Sequence, residues 1–468
     1  MSRINQNISS MQAMRSLNRN NMDLSTRLQR LATGLKINTG KDAPAGLIAS
    51  EKLRSEITGI SQAIDNTTRA SNVVNTAEGS LTEVSSLLLE LQSLTIEAAN
   101  TGALSNDEIN ANQLQVDSII NSINRIANTT QFGGRKLLNG SLGYSTSGVA
   151  ASSISAISVN SAKLPDNGTM QVNIIVTNSA ELAEVGYTGG ALVSSVTLEI
   201  AGVDGTEQVS LGAGSTVSAI LDAINQYTTA TGVSATLSGA DIRINSTEYG
   251  TDKFIAVRSL SGTFTTTGNR DNGLDASVSI NGVTAQVKGK IASIRTPQLD
   301  LEVDLSAAMA SNTSTAKTLF VTGGGMKFQI GSEVNRPGQY SLGLNSIAAS
   351  QLGNGVTGYL SSILTGGTNS LVSGNTTQAQ KIISESISMV SELRGRLGAL
   401  QKNVFETNIN SLGVTMENVT ASESAIRDAD FAKETAALTR AQILSQANTS
   451  VLSQANAIPQ QVLSLLGR

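Results

Sequence analysis

Residues 57–64, Ile57-Thr58-Gly59-Ile60-Ser61-Gln62-Ala63-Ile64, carry an isoleucine at their first, fourth and eighth positions, and this beat decides the fold. It continues through Ser71, Val74, Leu81, Val84, Leu88 and Leu91. Apolar residues three and four apart lay one stripe along a helix, the pattern of helices packed nearly parallel. Upstream, Leu17, Leu24, Leu28, Leu31 and Leu35 form a second stripe; downstream, Ile109, Val116, Ile119, Ile123 and Ile126 form a third. Gly34, Gly40, Pro44 and Gly46 interrupt the helical text on one side, and Asn100 to Asp107, with Gly102, on the other. Ser105 followed by Glu108 has the capping-box spacing that starts a helix. Two long helices joined by a short turn are expected to fold back as an αα-hairpin.

The far end repeats the rule. Ile383, Ile387, Val390, Leu393, Leu397, Leu400 and Val404 make one stripe, and after Gly413 a helical stretch to Leu466 carries Val451, Ala455, Ile458, Val462 and Leu465. Pro459 lies inside that last stripe and predicts a kink or a separate final turn, because it removes a backbone donor. Between about 143 and 352 the text changes to Gly, Ser, Thr and Val. Val172 to Val176 and Val196 to Ile200 read as strands, Asn281-Gly282 as a hairpin turn, and Thr216 to Tyr227 as a helix. The expected architecture is mainly α with an inserted β-rich module: long helical N- and C-terminal regions packed as a coiled-coil or bundle rod, with an outer α+β domain between them.

Composition narrows the chemistry. The chain has no His, Cys or Trp, 3% aromatic residues and a net charge of -4. Zinc sites, Ser-His-Asp or Cys-His nucleophiles and disulfides need residues that are missing. Only carboxylates, lysines and hydroxyls remain, and no motif singles out a pair among 36 acidic residues. An enzyme, a metal or another cofactor is therefore not expected, and the charge balance gives no reason to expect nucleic acid. Met1 to Asn20 shows no apolar core of a cleaved signal, and no stretch approaches the roughly 20 apolar residues of a membrane span. The uncharged arm Ala441 to Gly467 is broken by Gln442, Gln446, Asn448, Gln454, Asn456, Gln460 and Gln461, so membrane insertion is not expected.

A narrow Leu stripe on a helix otherwise built of Asn, Gln, Ser and Arg buries little, so the terminal arms are expected to be partly disordered in an isolated subunit. Periodicity leaves two readings open: an intramolecular bundle core, or pairing between the arms and with copies in neighbouring subunits.

At this point the residues resemble the bacterial flagellins. Leu28 to Asn38 followed by Lys41-Asp42-Ala43-Pro44-Ala45-Gly46-Leu47 is similar to the family's amino-terminal signature, Gln131 to Leu138 to its "TQFNGxKLL" stretch, and Phe328-Gln329-Ile330-Gly331 to its hairpin. Ile426 to Ala432 and Gln454 to Leu466 resemble "IxDxDxA" and "QANxxPQxVLxLL". Thr216 to Asn225, Gly232 to Leu237 and Ser246 to Gly250 resemble the hook IN motif, which suggests a surface-exposed module. The likeness covers about residues 1 to 142 and 323 to 468.

The resemblance implies an extracellular filament subunit that self-assembles as a helical homo-oligomer for swimming motility. It divides the chain into 1–44 and 431–468 as arms of an inner tube, 45–142 and 323–430 as an outer tube, and 143–322 as the exposed variable module. Polymerisation would use Leu17, Leu24, Leu28, Leu31, Leu35, Val451, Ala455, Ile458, Val462 and Leu465. Outer-tube packing would use Ile57, Ile60, Ile64, Leu88, Leu91, Val390, Leu397 and Val404. Implied partners are the flagellar type III export machinery, a secretion chaperone, and the filament cap and hook-junction proteins. Glu90 and Leu94 match the patch sensed by an innate immune receptor, with an acid where the family has arginine, which predicts weak detection. The alternative is a hook-filament junction protein, which shares the helical ends; the long carboxyl-terminal match and large middle favour the filament subunit. A coiled-coil adhesin would need an anchor or signal.

Overall fold

The computed structural model describes residues 6–150, 152–165, 168–239, 241–313 and 316–466, with side chains through Gln461. In chain order the helices are α1 (Ile8–Thr33), α2 (Pro44–Ala98), α3 (Asn106–Thr129), α4 (Val217–Asn225), α5 (Thr228–Thr231), α6 (Ala307–Ala310), α7 (Thr376–Leu400), α8 (Thr407–Arg427) and α9 (Phe431–Leu466). They fall into two compact units, one of Met1–Thr67, Ile330–Val334 and Glu406–Arg468, the other of Thr68–Gln329 and Asn335–Phe405.

In the first unit α1 and α9 pair antiparallel, and α1 ends on Gly34 in the left-handed region. Pro44 opens α2, where a proline's missing donor costs nothing. Two expectations are corrected here. Gly413 does not mark a boundary: α8 runs through it, and the chain breaks after Arg427, where Asp430 Oδ1 accepts from the N–H groups of Ala432 and Lys433 to start α9. Nor does Pro459 separate a final turn, since α9 continues to Leu466. Pro459 cannot donate to the carbonyl four residues back, that of Ala455. Asn7 Nδ2 donates to that oxygen instead, at 2.7 Å, while Asn7 Oδ1 accepts from Ser10 N–H and caps α1.

The second unit contains the rest of α2 together with α3 and α7. Ser105 and Glu108 form the expected capping box. The Thr130 hydroxyl donates to Ser80 Oγ at 3.0 Å, so the chain after α3 has returned beside the middle of α2, as the hairpin reading predicts. Arg394 of α7 pairs with Glu78 at 2.8 Å. Val74, Leu81, Val84, Leu88, Leu91, Val390 and Leu397 are all buried. After Leu400 comes a π-helical turn, Gln401–Glu406, which inserts one residue into the three-four beat. The buried side chain there is accordingly Phe405, edge-on to Phe328 and Tyr340 at 5.9 and 6.3 Å, and Val404 is only half-buried.

The β-rich middle is two cores, one nested in the other. The host core lies between a five-stranded sheet centred on Met170–Asn178 and a four-stranded sheet containing Leu299–Leu305. The inserted core lies between a four-stranded sheet containing Val196–Ala201, a three-stranded sheet centred on Asp241–Ser246, and α4. Thr216 caps α4 by accepting from Ala219 N–H, and alternating burial along Val196–Ala201 matches the strand reading. Asn281, at φ 51, and Gly282, at φ 81, form the hairpin turn between Ser277–Ile280 and Val283–Thr284, two positive-φ positions that call for these residue types.

Candidate assembly surface

The α1/α9 pair meets along a heptad line. On α1 the line runs Ser10, Ala13, Leu17, Asn20, Leu24, Arg27 and Leu31, spaced three and four apart, with Thr26 and Arg30 half-buried beside it. On α9 it runs Glu434, Leu438, Ala441, Ser445, Asn448, Leu452, Ala455 and Pro459, again three and four apart, with Thr435, Ala437 and Ala457 half-buried beside it. The small residues let the backbones approach, which leaves room for only a narrow apolar strip. Polar contacts fix direction and register: Arg27 lies 2.9 Å from Glu434, Ser445 Oγ donates to Asn21 Oδ1 at 3.1 Å, and Asn7 reaches Ala455. Below them the chain joins by backbone, Lys36 N–H to Arg427 O at 2.7 Å and Ala429 N–H to Gly34 O at 2.9 Å.

Glu434 is buried and also receives Arg30 at 3.3 Å. Burial alone would push its carboxyl pKa up, but the hydrogen bonds and charges of Arg27 and Arg30 outweigh this and hold it below the ordinary 4.5. Arg27 is raised in turn, chiefly by its hydrogen bond to Glu434. The sequence reading missed this ion pair. Its signal was available: Arg27 occupies a heptad position of α1, and Glu434 is the first-turn acid of α9.

The seam covers only part of the expected polymerisation set. Leu17, Leu24, Leu31 and Leu35 are half-buried and Ala455 is buried. Leu28 is exposed, as are Val451 at 56% and Ile458 at 49%; the side chains of Val462 and Leu465 lie outside the described residues. Val451 and Ile458 share a second heptad line with Leu444, beside the seam and uncovered. On α1 the uncovered apolar residues are Ile8, Met11, Met14, Met22 and Leu28. Both helices thus satisfy one face on each other and leave further apolar side chains open, interleaved on α1 with the exposed Arg15, Asn18, Arg19 and Gln29.

Of the expected outer-tube residues, Ile60, Leu88, Leu91, Val390 and Leu397 are buried and Ile57, Ile64 and Val404 are half-buried. The Glu90 and Leu94 side chains are not presented together: Glu90 is exposed, Leu94 is buried, and the exposed apolar neighbours are Leu89 and Ile96. Among the described residues no cluster of three or more His, Cys, Asp and Glu could hold a metal ion, and no helix is long and apolar enough to cross a membrane. A charged cleft between the inserted module and α7 pairs Lys381 with Asp204 at 2.8 Å and Lys253 with Glu248 at 2.5 Å, and is also lined by Glu385.

Residues 4–142 match the bacterial flagellin N-terminal helical region, residues 380–466 the bacterial flagellin C-terminal helical region, and residues 197–248 the flagellin hook IN motif. The chain is 30% identical to the B-type flagellin of Pseudomonas aeruginosa, with 99% of each chain covered. It is 30% identical to flagellin D of Vibrio anguillarum and 29% identical to flagellin B of Vibrio cholerae, again with 99% of each covered.

Proposed function

Because the chain belongs to the bacterial flagellin family, we propose that it builds the flagellar filament through the faces of α1 and α9 that their own seam leaves open. The protein is a structural subunit of the extracellular filament that drives swimming. The observation that carries the assembly reading is the pair of unused apolar lines: Met11, Met14 and Met22 on α1, and Leu444, Val451 and Ile458 on α9. Burying them between subunits supplies about 25 cal/mol per Å² of apolar surface, and the uncharged α9 arm meets no desolvation cost from ions.

In this reading residues 1–44 and 431–468 line the inner tube, 45–142 and 323–430 form the outer tube, and 143–322 stands on the outside. The subunit travels unfolded through the flagellar type III apparatus, delivered by a secretion chaperone, and adds at the tip beneath the cap, above the hook-junction proteins. Full-length likeness to named flagellins supports the filament subunit over the junction protein. Glu90 in place of arginine supports weak immune detection; potent receptor signalling by the purified protein would count against it.

The test is electron microscopy of purified subunit added to short filament seeds. Long tubular filaments are expected from the wild type. Val451→Asp, at a position exposed in the subunit, should leave the fold intact by circular dichroism and stop growth, because the carboxylate would be buried unpaired on assembly. Normal filaments from that variant, or persistent short caps from the wild type, would overturn the reading.

A further inference from the structure

We propose that Met11, Met14 and Met22 form an oxidant-sensitive site whose conversion to methionine sulfoxide holds the free subunit out of the filament, and whose reduction releases it. The chain has no Cys, Trp or His, so mild oxidants find their readiest targets in its nine methionine thioethers. Those thioethers are not equally open. Met309 and Met326 are buried, Met170 and Met416 are half-buried, Met389 is 38% exposed with its sulfur accepting Gly353 N–H at 3.3 Å, and Met1 lies outside the described residues.

Met11, Met14 and Met22 are 56%, 57% and 70% exposed, and all three lie on α1. Met11 and Met22 each precede a seam residue, Ala13 and Leu24, by two positions, roughly 200° round the helix at 3.6 residues per turn. They therefore face away from α9, and Met14 lies on the flank of the same open face. The chemistry needs a two-electron oxidant of the hydroperoxide class. A sulfur lone pair attacks one peroxide oxygen, the O–O bond breaks, that oxygen stays on sulfur as the sulfoxide, and its proton passes to the departing hydroxide, which leaves as water. Sulfur is oxidised and the peroxide reduced. No seam residue is touched, but three apolar side chains have become polar.

The consequence rests on the reading that these side chains are buried on assembly: a sulfoxide must shed bound water there, as a thioether need not, and this opposes addition to the tip. Peroxide-treated subunit, mapped by peptide mass spectrometry, should carry sulfoxide at Met11, Met14 and Met22 before Met309 and Met326. Its growth on seeds should fall at least about tenfold and return on treatment with methionine sulfoxide reductases and a dithiol. The triple variant Met11→Leu, Met14→Leu, Met22→Leu should grow equally well before and after peroxide. Equal loss in that variant, or full oxidation of the three sulfurs without slower growth, would overturn the proposal. If the triple variant does not grow at all, reductase rescue of the wild type decides, and failure of rescue overturns it. Failure of untreated wild type to grow on seeds would instead defeat the filament reading.

Discussion

The contact between Asn7 and the carbonyl freed by Pro459 makes a prediction that isolates one hydrogen bond. Serine caps a helix about as well as asparagine, so Asn7→Ser should keep the acceptor for Ser10 N–H and lose the longer Nδ2 arm that reaches Ala455 O. An orphaned buried acceptor costs about 1–3 kcal/mol, and because Asn7 is half-buried, water recovers part of this. The expected penalty is about 1.5 kcal/mol, a little over tenfold in an opening equilibrium. Pro459→Ala gives the helix back its own donor for Ala455 O, so the same Asn7→Ser change should then cost almost nothing. The assay is a double-mutant cycle read by amide hydrogen exchange of the last turns of α9, with a coupling of about 1–1.5 kcal/mol expected. Equal penalties in the two backgrounds, whether large or negligible, would refute the account of how α9 tolerates its proline.

Glu434→Gln should loosen the α1/α9 pair by about 2 kcal/mol, between exposed and buried ion pairs, because the side chains of Glu434 and Arg27 are 10% and 27% exposed. Since the carboxyl is held below 4.5, its stabilisation is complete above that pH and is lost as pH falls through the lower folded value; exchange measured across this range should lose its slope in the variant. Phe405→Ala should cost about 3–5 kcal/mol in denaturant unfolding and Val404→Ala about 1 or less, an order the uninterrupted stripe would reverse. Ser105→Ala should cost about 1 kcal/mol by loss of the α3 cap. Glu302 is pushed above 4.5 by burial first and the Glu392 charge second, so it weakens folding as pH rises from 4.5 through the raised value; Glu302→Gln should raise the thermal midpoint at neutral pH and change it little in acid.

Much of the fold was legible because helices and strands announce themselves by period. The α2 and α7 stripes, the Ser105 box and the Asn281-Gly282 turn need only local text, and each stands where that text put it. Partner choice was less legible. The α9 text holds two heptad lines, and the more apolar one, through Val451 and Ile458, is not the one that meets α1; the seam takes Ala441, Asn448, Leu452 and Ala455. Periodicity reports that a face exists, and the partner's size and polarity decide which face is used. Phe405 escaped because a π turn shifts the beat by one residue without leaving a Gly or Pro to mark it. The nested cores escaped because strands of both have the same alternation, and only pairing separates them.

The inserted core enters and leaves its host through one point. Glu181 N–H donates to Leu274 O at 3.0 Å and Leu274 N–H to Glu181 O at 2.9 Å, so the two ends of everything between them sit side by side as a paired couple. Partners of that kind have Cα atoms about 5.5 Å apart, a gap that a tight turn closes. Beside this doorway the insertion also touches its host: Tyr249 packs against the host core, the Thr251 hydroxyl donates to Asp275 Oδ2 at 2.6 Å, and Asp252 lies 3.6 Å from Lys288. A lineage could shorten, replace or elaborate the outer ornament beyond these contacts while the strands on either side keep their pairing, and foreign sequence whose own ends meet could be grafted at the same doorway.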